Sequence, residues 1–309
     1  MNKIVSVIIL FLGLTSCKEN TTPKTKTTNE NANYIELIAL DYQLYKPVQK
    51  AKAVLILFGG FPENAEDIKK EFKILELAKL HNIAVIFSNY NRKLWLETQE
   101  KHKLAAQLQK IIADNQLPTD AIYIGGFSSG GVVSLLLSDF IVSLKQYYID
   151  PKGVFIVDSP IDLAALYTSS EKNVKRTAHG ISNEESIWIL ETLTNAFGHP
   201  DEHLDNYEKN AVYTSRSNYN GNVKHLKNTK IRLYTEPDTL WWKTNHMADY
   251  DQMNAYYIKK FSQRLKEQQF KNVEYIPTTN KGYRENGDRH PHSWSIIDTK
   301  DLVDWILED

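Results

Sequence analysis

Gly126-Phe127-Ser128-Ser129-Gly130 places a serine between two glycines, each two positions away. A serine hydroxyl attacks an acyl carbon only when a base takes its proton and donors receive the negative charge that develops on the oxygen. Both needs are met if Ser128 sits on a very sharp turn between a strand and a helix. Gly126 and Gly130 carry no Cβ to obstruct such a turn. The amide of Ser129, at the start of the helix, then points at the developing oxyanion. A base is available late in the chain, where Arg289-His290-Pro291-His292-Ser293-Trp294 carries two of the nine histidines. Pro291 fixes its own φ and biases His290 toward extended backbone, so the two rings project in different directions.

The elements that must position these groups are legible as hydrophobic pattern. Ala53–Phe58 is continuously apolar, as a strand buried on both faces must be, and it ends in Gly59-Gly60. The pattern predicts a helix over Glu63–His81, a strand over Ile83–Phe87 and a helix over Lys93–Asn115. A strand at Ala121–Ile124 then leads through Gly125-Gly126 into a helix over Ser129–Tyr147, so the serine lies where the chemistry requires it. Strands follow at Val154–Val157, Ile231–Tyr234 and Val273–Ile276, with helices near Tyr250–Glu267 and Ile296–Leu307. Residues 34–46 read as one or two entry strands. Alternation of this kind specifies an α/β fold, a mostly parallel sheet with helices on both faces. Residues 161–228 interrupt it, with one helix near Glu184–Ala196, and form a cap-like insertion.

Composition narrows the function classes. With 37 Lys+Arg against 38 Asp+Glu the net charge is −1, so no nucleic-acid surface is expected. At 42% hydrophobic and 24% charged residues, neither a multi-span membrane protein nor a disordered chain fits. Cys17 is the one cysteine, which removes disulfides, zinc–thiolate sites and a cysteine nucleophile from the body of the chain. His199 and His203 stand four apart, but Gly198 and Pro200 argue for a solvated turn, and no HExxH is present. No metal and no cofactor is expected. The glycines after Phe58 are not followed by Gly-Lys-Ser/Thr, which removes a phosphate-cradling loop.

The chain resembles an α/β-hydrolase of the serine-esterase kind from about residue 50 to the C-terminus. Gly126–Gly130 carries the likeness, and Leu57-Phe58-Gly59-Gly60-Phe61-Pro62 adds to it, because many members have His-Gly-Phe-Pro there. The resemblance implies the backbone N–H of Phe61 as a second oxyanion donor beside that of Ser129. This sequence departs in having Gly59 where His is common. The family order of nucleophile, acid and histidine implies an acid after a late strand, and Asp238 in Leu233-Tyr234-Thr235-Glu236-Pro237-Asp238 stands at the matching position. Glu236 and Asp158 compete with it; Ser159-Pro160 after Asp158 reads as a helix cap. His292, with Trp294 two residues on, matches the His-x-Trp of several esterases of this fold. The expected triad is thus Ser128, Asp238 and His292. Trp241, Trp242 and Trp294 flank the acid and base, either lining an acyl or sugar pocket or packing the roots of two helices.

At the other end, Lys3, the apolar run Ile4–Leu14 and Leu14-Thr15-Ser16-Cys17 resemble a bacterial lipoprotein signal with its lipobox. That resemblance implies residues 1–16 as a cleaved signal, an acylated Cys17, a flexible polar tether over 17–33, and a hydrolase domain over 34–309. Lys18 after the cysteine implies the outer membrane of a Gram-negative envelope. The sequence therefore predicts a lipid-anchored serine hydrolase acting on a small-molecule or oligosaccharide carboxylic ester. A peptidase on the same fold and a non-catalytic glycan- or peptide-binding lipoprotein are the alternatives.

Overall fold

The computed structural model describes residues 33–90, 93–176 and 184–308, together with the backbone of a short strand at Lys24–Lys26. The expected signal over 1–16 and Cys17 lie outside the described residues. Nine strands make one sheet: β1 (Lys24–Lys26), β2 (Tyr34–Ile38), β3 (Tyr42–Pro47), β4 (Ala53–Phe58), β5 (Ile83–Ser88), β6 (Ile122–Phe127), β7 (Pro151–Val157), β8 (Lys230–Thr235) and β9 (Val273–Pro277). Their spatial order is β1-β2-β3-β5-β4-β6-β7-β8-β9. Pairing is antiparallel from β1 through β3 to β5 and parallel for every other pair. The short β1 lies inside the stretch expected as a tether, and its backbone adds to the sheet edge at β2.

Alternate residues of β4 divide the core. Val54, Ile56 and Phe58 face α3 (Thr98–Asp114), α4 (Ser129–Leu144) and α9 (Asn254–Glu267); Ala53, Leu55 and Leu57 face α1 (Ala65–Glu71), α2 (Leu75–Leu80) and α10 (Thr299–Leu307). All six are buried, so a strand with no polar face is held by apolar layers on both sides. Burying each large aliphatic side chain stabilises by about 1.5–3 kcal/mol. Helix α4 is buried along most of its length, as befits a helix apolar all round.

Several expected helices are shorter or broken. The run from Glu63 to His81 is two helices, α1 and α2, because Phe72 and Ile74 are both buried and a continuous helix would aim residues two apart in very different directions. Helix α3 starts at Thr98 rather than Lys93, its first turn closed by a reciprocal cap between Glu97 and Glu100, while Leu94, Trp95 and Leu96 before it are buried.

After β7 the insertion folds as α5 (Leu163–Lys175), α6 (Glu184–Phe197), α7 (Leu204–Asn210) and a 3₁₀ segment at Gly221–Asn228. It has a small core of its own, built from Leu163, Tyr167, Ile189, Leu193, Phe197 and Tyr207 with Trp95 from outside. Helix α8 (Thr239–His246) follows β8.

Candidate active site

Ser128 stands between β6 and α4 with φ 51° and ψ −125°, a conformation ordinarily left to glycine. Its neighbours explain how the chain can hold it. A Cβ on Gly126 would lie 2.2 Å from the carbonyl of Gly130, and one on Gly130 would lie 2.2 Å from the carbonyl oxygen of Phe58. The serine amide donates to Val157 O at 2.9 Å, tying the turn to β7.

His292 reaches the same cavity from the loop after β9, and its Nδ1 lies 2.7 Å from Oδ2 of Asp158. The two side chains are 20% and 7% exposed. Asp158 follows β7 at φ 44°, its amide donating to Tyr234 O (2.8 Å). Thr235 Oγ1 donates to its second carboxylate oxygen at 2.5 Å, and Asn254 Nδ2 to its carbonyl at 2.8 Å. The structure therefore corrects the expected partner of His292 from Asp238 to Asp158. Asp238 is the N-cap of α8, accepting from the Trp241 amide at 2.9 Å, and its other oxygen accepts from Arg289 Nη2 at 2.7 Å. Ser159-Pro160 does not cap a helix either: α5 begins at Leu163 and Asp162 caps it.

Glu236 is buried and also pairs with Arg289, while accepting from Thr278 Oγ1 (3.0 Å) and the amides of Lys281 (2.8 Å) and Gly282 (3.0 Å). Arg289 Nη1 in turn donates to Gly282 O at 2.7 Å. Glu236 and Asp238 thus both brace, through Arg289, the loop that carries His292.

The Phe61 amide donates to the Ser129 hydroxyl at 3.0 Å, which brings the loop after β4 against the first residue of α4. Ser129 N is the first amide of that helix, a position with no intrahelical carbonyl to bond. Ser128, Ser129, Phe61, Asp158 and His292 all line a cavity of about 920 Å³. Helices α5 and α6 supply its far wall through Leu166, Asn173, Trp188 and Ile189, and the Phe61 ring stacks on Trp188 at 5.1 Å and 8°. Arg176 and Arg284 meet the cavity beside Glu63, Glu184 and Glu185.

Of the three tryptophans, Trp242 lines this cavity. Trp241 packs against Trp242 and His290 at 5.1 and 4.8 Å. Trp294 is fully buried, stacked on Phe72 at 4.7 Å. His290 also lines the cavity but differs from His292: its Nδ1 is buried without a hydrogen-bond partner. Burial, reinforced by the nearby positive charges of Arg284, His292 and His246, pushes its pKa down to about 4. Burial likewise lowers that of His246. His199 and His203 lie in and after the turn leading to α7, and among the described residues no three His, Cys, Asp or Glu side chains form a group able to hold a metal ion.

Sequence reasoning missed Thr235, Asn254, Arg289 and Glu63. Only the buried-strand position of Thr235, beside the acidic pair it precedes, offered a signal; Asn254 meets Asp158 from 96 residues away, Arg289 meets Asp238 from 51 and Glu63 meets Trp294 from 231.

No family model matches the sequence, and neither does any curated protein. Solved structures do match over most of the chain. An esterase of Rhizomucor miehei is 13% identical with a TM-score of 0.52, covering 92% of this chain and 82% of its own. An S-formylglutathione hydrolase of Agrobacterium tumefaciens is 9% identical with a TM-score of 0.52, over 92% and 98%. An alpha-beta hydrolase of Vibrio vulnificus is 15% identical with a TM-score of 0.50, over 89% and 80%. Strand order, the serine turn after β6 and these likenesses together identify the α/β-hydrolase fold.

Proposed function

We propose that the protein is a serine hydrolase that cleaves a carboxylic ester through Ser128, His292 and Asp158. The observation that carries this reading is the 2.7 Å contact between His292 Nδ1 and Asp158, in the cavity that also holds the strained Ser128. Asp158 fixes the imidazole with its proton on Nδ1, leaving Nε2 to act as the base. Ser128 Oγ bonds to the acyl carbon as its proton passes to His292, and the carbonyl π electrons move to oxygen. The Ser129 amide receives that oxyanion, joined by the Phe61 amide as it gives up its bond to the Ser129 hydroxyl. Collapse expels the alcohol, protonated by His292, and leaves an acyl-serine. Water, deprotonated by the same imidazole, then releases the acid and restores the hydroxyl.

The esterase and hydrolase names of the solved structures support ester chemistry, and the cavity supports a substrate with an apolar acyl part against Phe61, Leu94, Leu166, Trp188 and Ile189. A fluorophosphonate probe should label the wild type and leave Ser128→Ala unlabelled. A panel of aryl esters, acylated sugars and peptides then separates esterase from peptidase. A wild type that neither labels nor turns over any ester contradicts the reading.

We further propose that acylated Cys17 anchors this domain to an envelope membrane, with the alternation of Lys3, Ile4–Leu14 and Cys17 as support. Cys17→Ala should move the protein out of the membrane fraction or stop its processing. An unmodified, uncleaved N-terminus by mass spectrometry in the native host would overturn it.

A further inference from the structure

Glu63 sits one residue beyond Pro62 in the loop that carries the Phe61 amide. Its main-chain amide donates to Gly60 O at 2.6 Å, and its carboxylate accepts in return from the Gly60 amide at 2.8 Å. The loop is thus closed as a turn twice over, once by backbone and once by side chain. The same Oε2 atom accepts from the indole Nε1 of Trp294 at 3.1 Å, and Trp294 lies two residues beyond His292. One oxygen therefore touches both the loop that offers an oxyanion donor and the segment that offers the base, 231 residues apart in sequence.

Each side of this contact is rigid. Trp294 is fully buried, stacked on Phe72 at 4.7 Å and tilted against Phe127 at 5.5 Å, and Phe127 in turn meets the His292 ring at 4.5 Å. On the other side, a Cβ at Gly59 would come within 2.7 Å of Glu63 Cβ and 3.1 Å of its Oε2. Glycine at 59 is what lets the carboxylate fold back over its own loop. Burial raises the carboxyl pKa, opposed by the Gly60 amide, the indole and Arg284.

We propose that Glu63 is a positioning residue that sets the oxyanion loop and the His292 segment relative to each other through the Gly60 amide and the Trp294 indole. The role rests on the hydrolase reading above. Glu63 does not contact the reacting atoms in this scheme; it fixes the distance between groups that must act on one tetrahedral centre, where small misplacements are costly.

The test uses Glu63→Ala, Glu63→Gln and Trp294→Phe in the full chain beside wild type and Ser128→Ala. Glu63→Ala should lower kcat on an aryl ester by about 10- to 100-fold with KM changed less than about threefold, short of the loss when an oxyanion donor is removed outright. Glu63→Gln keeps an oxygen that accepts from both donors and should recover to within about threefold of wild type. Trp294→Phe should cost less than Glu63→Ala, and the double variant should be no slower than Glu63→Ala alone. Hydrogen exchange at the Gly60 amide and Trp294 Nε1, read by NMR, reports the contact whether or not the protein turns over an ester. Protection at both should fall in Glu63→Ala and persist in Glu63→Gln. Unchanged exchange, or a folded Glu63→Ala with wild-type kcat, overturns the positioning role while leaving the hydrolase reading intact. A Gln variant as slow as Ala with normal exchange overturns it too, by assigning the effect to charge. A wild type inert to fluorophosphonate with exchange as expected overturns the hydrolase reading and leaves Glu63 a structural tie only.

Discussion

Asp158 and Asp238 are both acidic residues just past a strand, and what separates them is the donor each one faces. Asp158 meets an imidazole and a threonine hydroxyl; Asp238 meets a helix amide and the guanidinium of Arg289. Asp158→Asn should therefore lower kcat by about 10³- to 10⁴-fold, by favouring the wrong imidazole tautomer. Asp238→Asn keeps a capping oxygen and should leave kcat within about tenfold, while Asp238→Ala should lower stability by about 1 kcal/mol through loss of the α8 cap. Steady-state kinetics and chemical denaturation on the three variants decide it. That Ser128 and His292 could meet at one cavity was legible in the sequence because a turn and a late loop are local features. Which carboxylate faces the imidazole was not, because strand ends at β7 and β8 look alike until their register is known. His290 yields a second prediction at this scale. Folded, its ring takes a proton only near pH 4, whereas the unfolded chain protonates it near 6.5. Between those values the unfolded state binds more protons, so stability falls as pH drops through the window and is untouched above it. Denaturation at pH 7 and 4.5 should show His290→Phe losing less than wild type, by at most about 3 kcal/mol.

Secondary elements carry the site through close approach rather than through side-chain contact. Helix α4 can leave β6 at Ser128 only because Gly126 and Gly130 let two backbones lie where a methyl group would collide with a carbonyl. Gly130→Ala should thus lower stability by about 2–3 kcal/mol or more and abolish labelling by fluorophosphonate, as overpacking against backbone has no flexible side chain to absorb it. Thermal melting and gel-based labelling check both halves. Strand positions from β4 onward were readable from sequence to within three residues because β4, β5 and β6 are apolar on both faces. The break between α1 and α2 was not, since Phe72 and Ile74 take their directions from packing partners outside the helix. Helix ends governed by distant partners escape a local pattern for the same reason.

At the scale of the molecule, the insertion after β7 and the loop after β4 meet over the cavity through the stack of Phe61 on Trp188. Such a stack is worth about 0.5–1.5 kcal/mol, so Trp188→Ala should raise KM for an ester with an apolar acyl group by about two- to tenfold and leave kcat near wild type. A series of acyl chain lengths measures it. The break in strand–helix alternation after β7 was legible in the sequence; that α5 and α6 would wall the cavity depended on tertiary packing. The sheet also does something for Ser128 that no neighbouring residue could. A non-glycine backbone at φ 51° and ψ −125° is disfavoured by about 1–3 kcal/mol and persists because the surrounding strands and helix over-determine it. The proposed nucleophile is therefore also a fault in the fold, and a design that optimised stability alone would remove it: Ser128→Gly should melt higher than the wild type while hydrolysing nothing.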